Sequence, residues 1–192
     1  MDELIIKAFE DSAETKLSFV RKNVKNIVST VEMIVEAFHE GNKVMLFGNG
    51  GSAADAQHIA AEFVNRFIIE RPPLPALALS TDTSVITSIG NDYNYDQIFL
   101  KQIKALGKEG DIAWGISTSG NSPNVIKALK AAKSMGIKTI GMTGKDGGKM
   151  AKMVDIHLNV ESEVTARIQE THITVSHVIC QLVDVKLFNH SS

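Results

Sequence analysis

The sequence predicts an α/β fold: a doubly wound, five-stranded parallel sheet of flavodoxin-like kind, preceded by N-terminal helices. Five short apolar runs of strand length recur along the chain. Segments with three- and four-residue apolar spacing, the signature of amphipathic helices, separate them. The first 40 residues contain neither proline nor strand-like alternation.

In chain order, Leu4, Ile5, Ala8 and Phe9, then Leu17, Val20 and Val24, then Ile27, Val31, Ile34, Val35 and Phe38 mark one or two amphipathic helices over residues 1–40. Gly41-Asn42 ends them. Strand one is the run 44–47, which leads straight into Gly48, and residues 52–65 read as a helix. Pro72, Pro73 and Pro75 punctuate the chain before strand two at 76–79. Short helices follow at 84–90 and 96–105, then strand three at 111–116. A helix over 123–135 ends at Gly136, and strands four and five occupy 138–142 and 156–160. A long last helix covers 165–188. Such alternation implies right-handed crossovers, with helices on both faces of the sheet. Ligands then bind beyond the carboxyl ends of the strands. One domain over 1–192 is expected, with 1–40 as a helical extension.

Composition removes several classes. Twenty Lys+Arg against 22 Asp+Glu give a net charge of −2, which argues against a nucleic-acid-binding surface. No apolar run approaches the roughly 20 residues of a membrane span. The acidic start Met1-Asp2-Glu3-Leu4 does not read as a signal peptide, and the single Cys180 cannot form an internal disulfide. A cytoplasmic location is the expectation.

The loops carry the chemistry. After strand one, Gly48-Asn49-Gly50-Gly51-Ser52 lets the backbone approach a ligand, and the next helix turns free N–H groups toward an anion. Gly48, Gly50 and Ala53 also fit a loose dinucleotide fingerprint. Its acidic partner belongs about 20 residues on, whereas Asp82 lies about 30 on. A tight turn with no ligand is the plain alternative. After strand three, Ser117-Thr118-Ser119-Gly120-Asn121-Ser122 crowds four hydroxyls at a helix start, with Pro123 at the first helical position and Ser122 as N-cap. A cap needs one hydroxyl; four point to a phosphate. The lysine of a P-loop is missing. Asp82, and Gly90-Asn91-Asp92, suit sugar hydroxyls or ordinary caps and turns equally.

His58 and Glu62, four apart, share a helix face. An imidazole and a carboxylate there can bind a divalent metal, act as an acid/base pair, or form a surface ion pair. The last helix adds Gln169, His172 and His177, while His39, His157 and His190 read as ordinary structural or surface residues. The turn 143–148 offers Lys145 as a candidate phosphate contact.

Together these segments resemble the sugar isomerase (SIS) family and, within it, the phosphoheptose isomerase family. The match is carried by residues 48–58, Glu62, Gly90-Asn91-Asp92, and the stretches 115–122, 143–148 and 166–170, in order along essentially the whole chain. The resemblance implies aldose–ketose isomerisation of sedoheptulose 7-phosphate to D-glycero-D-manno-heptose 7-phosphate, toward the heptose of lipopolysaccharide core. It implies one zinc ion per subunit and homotetramers with active sites between subunits, with no membrane or nucleic-acid partner. Position by position, it implies His58, Glu62, Gln169 and His177 as zinc ligands. It implies Asn49, Gly50, Gly51, Ser52, Glu62, Asn91, Asp92, Ser117, Thr118, Ser119, Ser122 and Gln169 as substrate contacts. Isomerisation through an enediol needs a base, an acid and stabilisation of the carbonyl oxygen. Glu62 is expected as the base and His177 as the acid.

One feature strains that set. Gln169 and His177 are eight residues apart, about 12 Å along a helix. One ion reaches both only if the side chains stretch, the helix bends or a neighbouring subunit contributes. His172 is the substitute ligand. Two alternatives stand beside the enzyme: a non-catalytic SIS regulatory protein that binds a replication initiator, and an isomerase of a different sugar phosphate.

Overall fold

The computed structural model of the chain describes residues 1–188, so His190 lies outside the described residues. The N-terminal pattern forms one uninterrupted helix, α1 (Asp2–His39), rather than two. It is about 57 Å long at 1.5 Å per residue. Its buried residues begin only at Phe19. Leu4 and Phe9 are 73% and 75% exposed, so the first half of α1 projects beyond the sheet while the second half packs on it.

The remaining elements alternate: β1 (Val44–Gly48), α2 (Gly51–Val64), β2 (Ala76–Ala78), α3 (Thr83–Asp92), α4 (Ile98–Leu106), β3 (Ile112–Ser117), α5 (Pro123–Ser134), β4 (Lys138–Gly144), β5 (Ile156–Val160) and α6 (Thr165–Phe188). The five strands run in the order β2-β1-β3-β4-β5, and every pairing is parallel. That order is the flavodoxin-like one. Every residue of β1 and β3 is buried, as strands covered on both faces must be. Trp114 at the centre of β3 pairs with Leu46 on one side and Ile140 on the other.

Two hydrophobic layers sandwich the sheet. One gathers Ile34 of α1, Ile59 and Phe63 of α2, and Ile179 and Val183 of α6. The other gathers Ile89 of α3, Phe99 and Ile103 of α4, and Val125 and Leu129 of α5. The chain therefore changes face between β1 and β3, and a crevice opens beyond their carboxyl ends. Among the described residues, no helix is long and apolar enough to cross a membrane.

Three segments differ from expectation. Asn91 and Asp92 belong to the last turn of α3 instead of following it. The segment 96–105 divides into a 3₁₀ turn, Tyr95–Gln97, and α4. Beyond β4 the expected turn, at Lys145–Asp146, runs on into a 3₁₀ turn, Gly148–Lys152, which buries Met150 against the sheet.

Candidate active site

The two loops at the crevice are tied together by side-chain amides. Asn49, just past β1, donates to Asn124 Oδ1 at 2.9 Å, and Asn124 donates back to Asn49 Oδ1 at 2.8 Å. The Tyr95 hydroxyl also donates to Asn49 Oδ1, at 3.2 Å. Asn124 is buried in the first turn of α5 and accepts the Val125 N–H as well. Neither Asn124 nor Tyr95 stood out in the sequence, because an asparagine after a proline reads as a routine helix start. Beside them, Gly50 holds a left-handed turn at φ +56° and Ser52 is buried in the first turn of α2.

The hydroxyls of the second loop converge. Ser117 Oγ lies 2.9 Å from Ser122 Oγ and 3.4 Å from Ser119 Oγ. Ser122 occupies the N-cap of α5 as expected, yet its side chain makes no cap bond and turns to Ser117 instead. Thr118 is half-buried, and its carbonyl accepts the Gly144 N–H. Gly120, at φ +61°, fits because a Cβ there would collide with the Gly147 carbonyl. The Met150 N–H bonds the Gly120 carbonyl at 3.1 Å. The Lys149 N–H bonds Asn121 Oδ1, also at 3.1 Å. The loop after β4 thus braces the hydroxyl loop. A rigid set of hydroxyls at a helix N-terminus suits a phosphate, since hydrogen bonds to a charged group are worth about 1.5–3 kcal/mol each.

A second cluster lies where α2 and α6 run side by side. His58 Nε2 is 3.1 Å from Glu62 Oε1 and 3.0 Å from His177 Nε2. The ligand atoms of these three side chains all fall within 4.8 Å of one another. Phe67 stacks on the His177 ring, with centroids 5.3 Å apart. The Glu62 side chain is 23% exposed and that of His58 46%, so solvent and ligands reach them. A ring nitrogen carries either a proton or a lone pair, never both. His58 Nε2 can therefore make a full, well-aligned hydrogen bond to the carboxylate or to the second imidazole, but only a shared one to both. A divalent cation among the three satisfies all of them. Two imidazoles and a carboxylate, with a position left open, form a common catalytic metal set.

Gln169 sits at the other end of this face, its amide packed directly over Gly51, where any Cβ would overlap it. The structure thus brings His58, Glu62 and His177 together and leaves Gln169 about 12 Å along α6 from His177. His172 is turned away: its Nε2–H donates to the Thr143 carbonyl at 2.9 Å, and its Nδ1 is buried without a partner. It holds α6 to β4 and is not a substitute ligand. Burial lowers its pKa to about 4, against the opposing pull of the Thr143 hydrogen bond. The unfolded chain takes up this proton near 6.5. The folded state refuses it down to about 4. Stability therefore falls as pH drops through that window, by about 3 kcal/mol in all. Burial lowers the pKa of His157 too, which adds in the same direction. Denaturant unfolding between pH 7 and 4.5 should show this loss, and His172→Gln should flatten the slope; an unchanged slope would assign it elsewhere.

Other candidates fall outside both clusters. Asp82 N-caps α3, accepting the Val85 N–H at 2.9 Å, which ends its reading as the acid of a dinucleotide site. Asp82→Ala should cost about 1 kcal/mol of unfolding free energy. Ligand affinity should stay unchanged, and an altered affinity would return Asp82 to the site. Asn91 donates to Asp92 at 2.9 Å, and both are exposed at the end of α3. Lys145 pairs with Glu163 at 3.4 Å. His39 ends α1, and His157 bonds the Thr143 hydroxyl at 2.6 Å. Asp55, one turn before His58, went unassigned in the sequence. Burial raises its pKa, with His58 pulling against the shift, and its Oδ2 is buried without a partner. Cys180 is buried and its thiol pushed upward, first by burial, then by Glu62 and Asp184.

Comparison with known proteins adds the last observations. The SIS domain family matches residues 8–144. The phosphoheptose isomerase of Thermodesulfovibrio yellowstonii is 55% identical over 188 residues, covering 98% of this chain and 94% of the relative. A phosphoheptose isomerase structure from Neisseria gonorrhoeae superposes with a TM-score of 0.90 at 45% identity, covering 95% of this chain and 98% of the other. One from Francisella tularensis gives a TM-score of 0.91 at 39% identity, with 95% and 97% covered.

Proposed function

The chain belongs to the SIS domain family and, within it, to the phosphoheptose isomerases, and on that footing we propose that it interconverts sedoheptulose 7-phosphate and D-glycero-D-manno-heptose 7-phosphate, an aldose–ketose isomerisation toward the heptose of lipopolysaccharide core. The convergence of His58, Glu62 and His177 carries the reading.

The substrate is held at two ends. Ser117, Thr118, Ser119 and Ser122 take the phosphate, and their fixed loop positions the distant carbonyl. Asn49, Gly50, Gly51, Ser52 and Gln169 line the path along α2. His58 follows Gly51 by seven positions, about 10 Å along the axis, which favours a long sugar. Asn91 and Asp92, exposed at the end of α3, add further substrate contacts. At the reacting end, Glu62 removes the proton from the carbon beside the carbonyl and returns it to the former carbonyl carbon, while His177 protonates the carbonyl oxygen and then takes the proton of the neighbouring hydroxyl. His58, Glu62 and His177 would hold one zinc ion per chain; Gln169 joins them only by leaving Gly51. Bound there, zinc would supply Lewis-acid polarisation of the sugar carbonyl. Glu62 and His177 each serve as ligand and as proton carrier in turn.

The exposed apolar residues Leu4, Ile5, Phe9 and Leu17 on the projecting half of α1 support a homotetramer built on these helices. A buried single thiol fits a cytoplasmic location. A regulatory module needs no such metal cluster, so the cluster favours the enzyme.

Turnover of a panel of ketoses tests the proposal. The seven-carbon 7-phosphate should be the best substrate, with the unphosphorylated sugar far poorer. Equal use of phosphorylated and free sugars, or preference for a five-carbon phosphate, would overturn it.

A further inference from the structure

Beyond the cluster, α2 and α6 are joined by a buried ion pair. Arg71 and Asp184 have side chains only 1% and 3% exposed, with Arg71 Nε 2.8 Å from Asp184 Oδ1. Arg71 lies past the end of α2 and folds back over it. Its Nη2 donates to the Glu62 carbonyl at 2.8 Å and its Nη1 to the Phe63 carbonyl at 2.7 Å. Longer bonds from Nη1 reach the Asn65 and Pro72 carbonyls at 3.3 and 3.1 Å. The last carbonyls of a helix have no partner within it, and a cation there also meets the negative end of the helix dipole. Thus the backbone of Glu62 is fixed by Arg71 while its side chain faces His58. On α6, Asp184 follows His177 by seven residues, two turns along the same face. One guanidinium therefore grips both helices that supply the cluster.

The choice of charges is informative. Two charges held out of water are costly, and an apolar pair of similar size is commonly as stable or more so. Asp184 Oδ2 adds a further cost, being buried without a partner. What a directional guanidinium fork provides, and an apolar pair does not, is a fixed separation and register. We propose that Arg71 and Asp184 are positioning residues: they set the spacing between α2 and α6 at which His58, Glu62 and His177 meet around a metal ion. This rests on reading that cluster as a metal site.

The test separates geometry from stability. Arg71→Met combined with Asp184→Asn removes both charges at nearly the original volume; Arg71→Lys keeps the charge and removes the fork. Melting temperature, zinc affinity by chelator competition and the absorption spectrum of bound cobalt are measured on the full chain. The double variant should stay folded but melt below the wild-type temperature, because the Glu62 and Phe63 carbonyls lose their donor. Both variants should bind zinc about 10–100-fold more weakly, as follows when the groups supporting a metal ligand are changed. Their cobalt spectra should shift. Wild-type affinity and spectrum in either variant would overturn the inference and leave the pair a purely structural clamp. A wild-type protein that binds neither zinc nor cobalt would instead overturn the metal reading itself.

Discussion

Glu62→Gln leaves a folded protein whose isomerase kcat falls by about 10²–10⁴-fold, the range lost when a positioned acid/base group is removed. Glutamine matches glutamate in shape but cannot take a proton. The side chain is 23% exposed and faces His58 and His177, so the substitution opens no cavity in the core. The phosphate contacts, carried by Ser117 to Ser122 on another loop, are untouched. KM should therefore move little while kcat collapses, the pattern of a group acting in the transition state. Steady-state kinetics on purified protein with matched melting temperatures checks this. A variant that turns over at near wild-type rate would remove Glu62 from the chemistry.

His177→Ala should lose both metal and rate. It deletes one of three converging donors and the proposed acid together, and frees the face of Phe67. Retained zinc, measured after dialysis, should fall well below one ion per chain. Affinity should drop by more than about 100-fold, beyond what changes around a metal ligand usually cost. His172→Ala is the control. His172 is buried and bound to the Thr143 carbonyl, so its loss should lower the melting temperature and leave metal content alone. The reverse pattern would exchange the two assignments.

What could be read from the chain follows burial. β1 and β3 announce themselves because both faces are covered, so their apolar runs are continuous. α1 was ambiguous between one helix and two: its exposed first half shows the same apolar spacing as the packed half, and nothing local marks a break. The hydroxyl loop was legible from its density of Ser and Thr. The way Ser122 turns to Ser117 was not, because that choice depends on the fold of the whole loop. His58 and Glu62 declared a shared face by spacing alone. Their partner His177 lies 119 residues from His58 and joins only when α6 packs beside α2. Asn124 and Arg71 were invisible for the same reason: their partners, Asn49 and Asp184, are 75 and 113 residues away. At Gln169 the resemblance and the packing point different ways: the resemblance groups it with His177, while its amide packs over Gly51.

Zinc titrated into chelator-stripped protein, with sedoheptulose 7-phosphate turnover followed at each addition, tests the reacting end most directly. Turnover should be negligible at first, rise in proportion to added zinc, and level off at one ion per chain. Full turnover in stripped protein carrying no measurable metal would contradict the role given to His58, Glu62 and His177.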